Sequence, residues 1–375
     1  MDLKQSISNQ TDVGLEITKQ LLQTEFKDKN MAYSPLSIHM VLSLIAAGTN
    51  GPKLDQFLSF LKSKSIDDLK SLALKLVTSV LADASPGGGP CLNIANGFWV
   101  DQSQPLEHSY KKVALNSYKA ALNQVDFKAN PEKVRIEVNS WINKETKGLI
   151  PEILPPNSVT SETSLIFANA LYFKASWDDQ YFNASSTRNG EFHLLNGDSV
   201  EGVPFMTSGG CHHITAFEGF KVLHLQYKPS DDYKDFRGFY MQLVLPDARD
   251  GLPALAERVC SESGLLDHPR KEVRVGRFLI PKFKISCGFE ASGVLAKLGL
   301  PVDSMVIMHE AVIEVNEDGT TAAAATVMQL YLAMDDGPPP EERQDFVADH
   351  PFMFLIREGR GTVMFMGHVL NPLAG

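Results

Sequence analysis

The chain has 375 residues, of which 43% are hydrophobic and 21% are charged, and its net charge at pH 7 is −10. This composition is typical of a folded globular protein and excludes a disordered chain. Because the balance is acidic and no block of Lys or Arg occurs along the chain, nucleic acid and acidic membrane surfaces are disfavoured as partners.

The N-terminal segment is polar throughout, whereas a secretory signal peptide needs an unbroken apolar stretch, and no later segment could span a bilayer. We therefore expect a cytoplasmic or nucleocytoplasmic protein without a signal peptide. The sequence does not exclude release to the extracellular space. The four cysteines are widely scattered and form no CxxC pair, which favours reduced thiols over a disulfide framework. They are Cys91, Cys211, Cys260 and Cys287.

The first third of the chain has helical periodicity. Apolar residues recur every four positions between Val13 and Leu21, and they form one stripe of a predicted helix. The next predicted helix carries signals at both of its ends. Ser34 can cap the free amides of the first turn, Pro35 suits the first helical position, and Gly48 can end the helix.

Helical spacing continues to residue 82 and then stops. Apolar residues within 54–61 and 67–82 predict two more helices. Residues 86–90, with the sequence PGGGP, then interrupt the pattern. Because no Gly-Lys-Ser/Thr follows these glycines, a flexible connection is favoured over a phosphate-binding loop.

Strands dominate the remainder of the chain. Apolar runs at 92–100, 165–173 and 239–245 predict strands buried inside sheets. Residues 352–356 and 363–369, joined by a Glu-Gly-Arg-Gly turn, predict a terminal β-hairpin. Because helices come early and strands late, without regular alternation, we predict an α+β fold and one domain over the whole chain.

Residues 309–352 combine signals for different structures. Residues 311–315 alternate as a strand does, and the Glu-Asp-Gly sequence at 317–319 predicts a turn. Small residues follow, then a bulky apolar group at 328–332, and then an acidic, proline-rich stretch. Residues 328–332 are too hydrophobic for a solvent-exposed linker that has no function.

The small residues after the turn have two interpretations. The alanines at 322–325 are the best helix formers known. In an extended conformation, alternate side chains would instead share one face and could enter a sheet without overpacking it. Those alternate residues are Thr320, Ala322, Ala324 and Thr326.

Separate motifs along nearly the whole chain resemble the serpin family of protease inhibitors. They are NMAYSPLSI at 30–38, Ala95-Asn96 with Phe98, NSWIN at 139–143 with Thr146 and Gly148, NALYFK at 169–174 with Trp177, EDGT at 317–320 and MFMGHV at 364–369. The start of the chain and FVADHPF at 346–352 resemble the plant branch in particular. The resemblance implies the serpin fold, a single domain with three β-sheets, about eight or nine helices and an exposed C-terminal reactive-centre loop at about 317–345.

The resemblance also implies an irreversible, suicide-substrate mechanism. A protease attacks the loop and forms an acyl-enzyme, and the cut loop inserts into the central sheet before water can release the enzyme. Small hinge residues permit fast insertion, so we expect an inhibitor; a non-inhibitory serpin acting as carrier, chaperone or storage protein is the alternative. The hinge residues are Glu317, Gly319, Thr320, Ala322, Ala323, Ala324, Ala325 and Thr326.

Family spacing places the scissile residue about sixteen positions after the hinge glutamate. It is then Ala333, with Met334 following the cut, and a slippage of one position would make Leu332 or Met334 the scissile residue. Leu330 and Tyr331, together with Leu332, are the bait side chains.

The bait predicts the class of partner. Between Glu317 and Arg343 there is no Lys or Arg, which disfavours a trypsin-like target. We expect an elastase-like, chymotrypsin-like or papain-like protease, held in a covalent 1:1 complex by a monomeric inhibitor that needs no cofactor or metal.

Two further groups of residues are implied by the resemblance to act where the sheet opens. The shutter group comprises Ser34, Ser37, Asn169 and His309, and the breach residue at the point of insertion is Trp177. Without the resemblance, satisfied buried polar groups and a large core residue explain them equally well.

An enzyme is the competing class of function. Ser, His and Asp are present, yet there is no Gly-x-Ser-x-Gly elbow or HExxH helix, and Cys211-His212-His213 is too short for a metal site. We therefore expect that the protein is not an enzyme.

Overall fold

A computed structural model describes residues 3–374 except 83, 86–87, 179–180, 231–237, 263, 303–304 and 321–342. Most of the predicted loop residues therefore lie outside the described residues. These are Ala322, Ala323, Ala324, Ala325, Thr326, Leu330, Tyr331, Leu332, Ala333 and Met334.

Eight α-helices lie within the described ranges. They are α1 (Leu3–Gln23), α2 (Pro35–Ala47), α3 (Pro52–Phe60), α4 (Ile66–Lys75), α5 (His108–Tyr118), α6 (Pro131–Glu145), α7 (Leu252–Ser261) and α8 (Ser292–Lys297). The predicted ends of α2 are confirmed: Ser34 Oγ accepts the Ser37 amide at 3.1 Å, Pro35 is the first residue, and Gly48 is the C-cap.

The helix predicted over residues 67–82 is only partly α-helical. Helix α4 ends at Lys75 and continues as a wider π-helical turn at Leu76–Val80. The Thr78 hydroxyl donates to Leu74 O at 2.7 Å, within the turn where the hydrogen-bond pattern changes. The wider turn keeps the apolar side chains of Leu76 and Val80 buried.

Sixteen strands complete the described part of the fold. They are β1 (Met31–Tyr33), β2 (Cys91–Asp101), β3 (Ala120–Val125), β4 (Leu165–Ser176), β5 (Arg188–His193), β6 (Ser199–Met206), β7 (Cys211–Phe217), β8 (Phe220–Gln226), β9 (Phe239–Pro246), β10 (Glu272–Pro281), β11 (Phe283–Glu290), β12 (Met305–Asn316), β13 (Gly319–Thr320), β14 (Gln344–Val347), β15 (Phe352–Glu358) and β16 (Val363–Val369). The predicted buried strands correspond to β2, β4 and β9, and β15 and β16 form the predicted hairpin.

The central sheet has six strands in the order β11-β12-β13-β4-β2-β3. The other ten strands are linked in the order β1-β16-β15-β9-β8-β7-β10-β6-β5, with β14 on β10. Strand β10 pairs with β7 at residues 272–274 and with β6 at 280–281, so it links these two strands. The α+β fold expected from the sequence is confirmed.

Alternate side chains of β4 enter two separate hydrophobic clusters. Phe167 and Leu171 belong to the main core, which also contains β9, β15 and β16. Ile166 and Ala168 belong to a smaller cluster, which also contains Val138 of α6. Because a strand alternates its side chains, β4 is covered on both faces, and this explains its nearly continuous apolar sequence.

Two other sequence-based expectations concern the described residues. All four cysteines are described and none is in a disulfide. Within the described ranges, no helix has the length and apolar character that crossing a membrane requires.

Candidate functional site: a seam in the central sheet

Strands β4 and β12 form a seam that is closed along most of its length and open at one end. They pair in parallel from Met305 and Leu165 as far as Val312 and Tyr172. Beyond this point the two-residue strand β13 lies between them and pairs antiparallel with both. The open end of the seam therefore already holds the beginning of an additional strand.

Gly319 permits β13 to lie between the two strands. Its φ angle is +133°, which L-residues with a side chain rarely adopt. A Cβ atom at this position would overlap Ala175 O and lie 2.6 Å from Ser176 Cα. The predicted hinge glycine is thus required by both conformation and space.

Glu317 anchors the turn between β12 and β13. Its carboxylate accepts a hydrogen bond from Thr187 Oγ1 at 2.6 Å and pairs with Lys282 Nζ at 2.8 Å, and its side chain is only 11% exposed. Burial raises the pKa of Glu317, but the hydrogen bonds from Lys282 and Thr187 outweigh burial and hold the pKa below its ordinary value. Glu317, the predicted first hinge residue, is therefore a fixed, charged attachment point for the turn.

Trp177 lies at the open end of the seam, where the sequence places the breach residue. Its indole Nε1 donates to Asn316 O at 2.8 Å, and its backbone amide donates to Asp318 O at 3.2 Å. The ring is 4% exposed and stacks on Tyr227 with centroids 4.6 Å apart. Trp177 thus joins the end of β4 to the turn that precedes β13.

A chain of buried polar side chains crosses the closed part of the seam. His309 Nε2 accepts from the Ser34 amide at 3.0 Å, so the proton lies on Nδ1, which donates to Asn169 Oδ1 at 2.8 Å. Asn169 Nδ2 donates in turn to Asn96 Oδ1 at 2.6 Å, and Asn96 Nδ2 donates to Tyr118 O at 3.1 Å. Helix α2, strands β12, β4 and β2, and helix α5 are thereby connected.

Burial keeps the histidine of the polar chain in the neutral form. His309 is fully buried, and burial lowers its pKa to about 3. Ser37 belongs to the group through its amide, which donates to Ser34 Oγ at 3.1 Å. The Ser37 hydroxyl is buried and has no hydrogen-bond partner in the described part of the chain. All four predicted shutter residues therefore lie together, next to the seam.

Helix α6 and the connection after it cover the outer face of the seam. Asn139 Oδ1 accepts the amides of Ile153 and Leu154 at 3.1 and 2.9 Å, and Asn139 Nδ2 donates to Leu154 O at 2.9 Å. Met308 of β12 packs in the same small cluster as Ile153 and Leu154. The NSWIN motif therefore fastens a cover over the strands that form the seam.

The sequence did not identify every residue of this site. Asn96 was part of a recognised motif, but its place in the polar chain depends on the β2–β4 register, which pairs it with Asn169. Thr187 and Lys282 carry no local signal that would connect them to Glu317, which is 130 and 35 positions away.

Comparisons with known proteins agree on one family. The family model described as Serpin (serine protease inhibitor) matches residues 8–372. The chain is 46% identical to Serpin-ZX of Arabidopsis thaliana, with 100% of each chain covered, and 44% identical to Serpin-ZXA of Oryza sativa subsp. japonica, with 99% and 98% covered. The solved structure of Arabidopsis AtSerpin1 in its native stressed conformation has a TM-score of 0.88 at 45% identity, covering 100% of this chain and 99% of that chain.

Proposed function

Because this chain belongs to the serpin family of protease inhibitors, and to its plant branch, we propose that it traps proteases by inserting its cleaved loop into the β4–β12 seam. The inhibitor would be a single serpin domain with a reactive-centre loop at about 317–345. The observation that carries the proposal is β13, which already occupies the open end of the seam.

The register of β13 predicts where an inserted loop would lie. Each step forward along the loop is one step back along β12 and β4, since β13 is antiparallel to both. Continued in this register, position 322 would come opposite Ile313, position 324 opposite Ala311, and position 326 opposite His309. These three residues of β12 are all fully buried.

The loop sequence fits this inner face. Side chains directly opposite each other in paired strands point to the same side of the sheet. Positions 322, 324 and 326 would therefore enter the main core, where bulky groups overpack and isolated charges are costly. Ala322, Ala324 and Thr326 are small, so the sequence supports rapid insertion.

Insertion of the loop would replace the hydrogen bonds between β4 and β12 with new ones to the inserted strand. One row of interstrand bonds between β4 and β12 would be replaced by two rows, one to each side of the new strand, with a net gain of about 1 kcal/mol for each added bond. The His309–Asn169 bond must break when the strands separate. The hydroxyl of Thr326 would arrive between these two residues and could bond to both, which is the role we propose for the shutter group.

The native state would therefore be metastable. AtSerpin1, whose fold this chain shares, is known in a native stressed conformation. We propose the same condition here, in which the uncut loop is held out of the sheet by its attachment at both ends. Cleavage frees one end, and the free energy released by insertion distorts the protease before deacylation.

The bait composition supports the choice of target. Leu330, Tyr331, Leu332 and Ala333 suit the apolar pockets of elastase-like, chymotrypsin-like and papain-like enzymes, with cleavage before Met334. The product would be a covalent 1:1 complex with a monomeric inhibitor.

Incubation with pancreatic elastase, chymotrypsin and papain tests the proposal. We expect a 1:1 adduct that survives hot detergent, and mass spectrometry should identify a released peptide that begins at Met334. Serine and cysteine acyl-enzymes are distinguished by running the three proteases separately. Cleavage at this bond without an adduct for any protease would contradict inhibition and leave a loop that is only a substrate.

A further inference from the structure

A cationic surface lies beside the downstream end of the loop in a chain whose net charge is −10. We call it the β10 surface. Its residues are Arg270, Lys271, Arg274, Arg277 and Arg343, all of which are exposed. Between positions 270 and 277 the sequence has four cations and one anion, Glu272, whereas acidic residues exceed basic ones over the whole chain.

A β-bulge directs the side chains of Arg274 and Arg277 to the same side of β10. The register between β10 and β14 shifts between Val275 and Phe278, both of which are buried. Two buried residues three positions apart require one extra residue on the exposed side. Arg277 therefore points outward together with Arg274 instead of alternating into the core.

Asp345 holds the bulge and leaves the arginine side chains available. Its Oδ1 accepts the backbone amide of Arg277 at 2.7 Å, and its main-chain oxygen accepts from Lys221 Nζ at 3.3 Å. Within the described ranges, neither the Arg274 nor the Arg277 guanidinium is within 4.0 Å of a carboxylate. Among the described residues, these two guanidinium groups are therefore not engaged in ion pairs, and the Asp345 carboxylate bonds to the Arg277 backbone amide instead.

The position of this surface relates it to the bait. Strand β14 pairs in parallel with β10 and begins at Gln344, directly after the loop. From the proposed cut after Ala333 to Arg343 there are ten residues, which reach at most about 35 Å when fully extended. A protease that holds the bait must therefore approach within roughly its own diameter of the β10 surface.

From this placement we infer that the β10 surface is an exosite that steers proteases carrying an acidic patch beside the active-site cleft. The inference rests on the proposed function for the bait loop. Opposite charges on two approaching surfaces raise association rates by about 10- to 1,000-fold at low ionic strength, and salt removes the effect. Steering is useful here because the overall negative charge of the inhibitor otherwise repels an acidic enzyme.

The test compares one protease in two charge states. Chymotrypsin with succinylated surface lysines is acidic, and the unmodified enzyme is the reference with the same active site. The second-order rate constant for reaction at the loop is measured at low and high ionic strength, for the wild type, for R274E/R277E and for a control, K112E/K133E. The control makes the same change in net charge at exposed lysines of α5 and α6.

We expect the succinylated enzyme to react with the wild type and the control at least tenfold faster than with R274E/R277E at low ionic strength, and this difference to vanish in high salt. Equal rate constants for all three proteins, or an equal loss in the control, would overturn the exosite. Loss of heparin binding in R274E/R277E with unchanged protease rates would also overturn it and identify a polyanion as the partner.

The two proposals fail in distinguishable ways. Loop cleavage and adduct formation both contribute to the rate constant, so steering is measured even if no adduct forms. The ratio of adduct to cleaved product tests insertion alone, and we expect it to be the same in R274E/R277E and the wild type.

Discussion

The seam between β4 and β12 differs from the β9, β15 and β16 region, although both are buried β-structure. Every residue of β9, β15 and β16 is buried, and β15 pairs antiparallel with the strand on each side. The seam is parallel, is crossed by a chain of polar side chains, and ends where β13 lies between its strands. Both regions are hydrogen-bonded sheets, but the first is packed mainly by apolar side chains, whereas a chain of polar side chains crosses the second.

We expect the first region to determine the stability of the protein and the seam to determine its inhibitory function. Apolar side chains packed at high density have one good arrangement, so they resist rearrangement. A hydrogen bond can be replaced by another of similar energy when a new strand enters. We therefore expect changes in β9, β15 and β16 to alter stability alone, and changes along the seam to alter inhibition.

The largest effect on inhibition is expected from Thr320→Arg. Thr320 pairs with Val315 and Ala175, which are both buried, so a charge here would have to be accommodated beside the core before the rest of the loop can insert. Insertion should become slower than deacylation, and the number of inhibitor molecules consumed per protease inactivated should rise at least tenfold. Thr321→Arg, which puts the charge on the other face of an inserted strand, is the control. An undiminished yield of adduct from Thr320→Arg would contradict the insertion register.

The next largest effect is expected from Phe354→Ala, which should lower stability and leave the inhibitory mechanism unchanged. Phe354 is fully buried, packs on Phe283 with centroids 5.5 Å apart, and lies over Gly367, where a Cβ would be 2.7 Å from its ring. Truncation should lower the free energy of unfolding by about 3–5 kcal/mol. Urea unfolding should show a similar loss in the intact and loop-cleaved forms, with an unchanged ratio of adduct to cleaved product. A loss confined to one form would contradict the division into fixed and exchangeable regions.

A smaller effect is expected at the cover of the seam, from Asn139→Ala. Three hydrogen bonds from this side chain fasten the connection after α6, and their loss should lower the free energy of unfolding by about 1–3 kcal/mol. Because the cover is loosened, the intact inhibitor should also lose activity faster during incubation at elevated temperature, through insertion of the uncut loop. Asn143→Ala, an exposed position on the same helix, provides the comparison. Equal inactivation rates for the two variants would show that Asn139 does not restrain the seam.

The smallest effect is expected from Glu317→Gln and depends on pH. The folded-state pKa of Glu317 lies below its ordinary value of 4.5, so its contribution to stability is complete above that value and is lost as the pH falls through the folded-state pKa. At pH 7 the substitution should cost about 1 kcal/mol, since Lys282 is partly exposed. The stability difference between wild type and variant should shrink below about pH 4.5. A stability difference between wild type and variant that stays constant down to pH 3 would contradict the role of the Glu317 carboxylate. The control is Glu314→Gln, because Glu314 forms a more exposed pair with Lys284.

What could be predicted from the sequence depended on how local the signal was. The ends of α2 were predicted because Ser34, Pro35 and Gly48 are themselves the signals. The fold and three members of the polar chain followed from the family resemblance. Asn96 did not, because its position opposite Asn169 is set by the register of two strands that are distant in the sequence.

The partners of the hinge show the same limit. The family resemblance predicts that Glu317 belongs to the hinge, but Thr187 and Lys282 reach it only through the folding of the central sheet against its neighbours. Similarly, apolar spacing predicted a helix to residue 82, although the change to a π-helical turn at Leu76–Val80 alters the hydrogen bonds without altering which side chains are buried.

The thermal stability of the loop-cleaved protein, compared with that of the intact protein, tests the central claim most directly. If the seam accepts the cut loop as a full strand, about ten added hydrogen bonds at roughly 1 kcal/mol each should raise the melting temperature by about 10 °C or more. A cleaved protein that melts at or below the temperature of the intact protein would show that no strand was inserted, and would contradict the proposed mechanism.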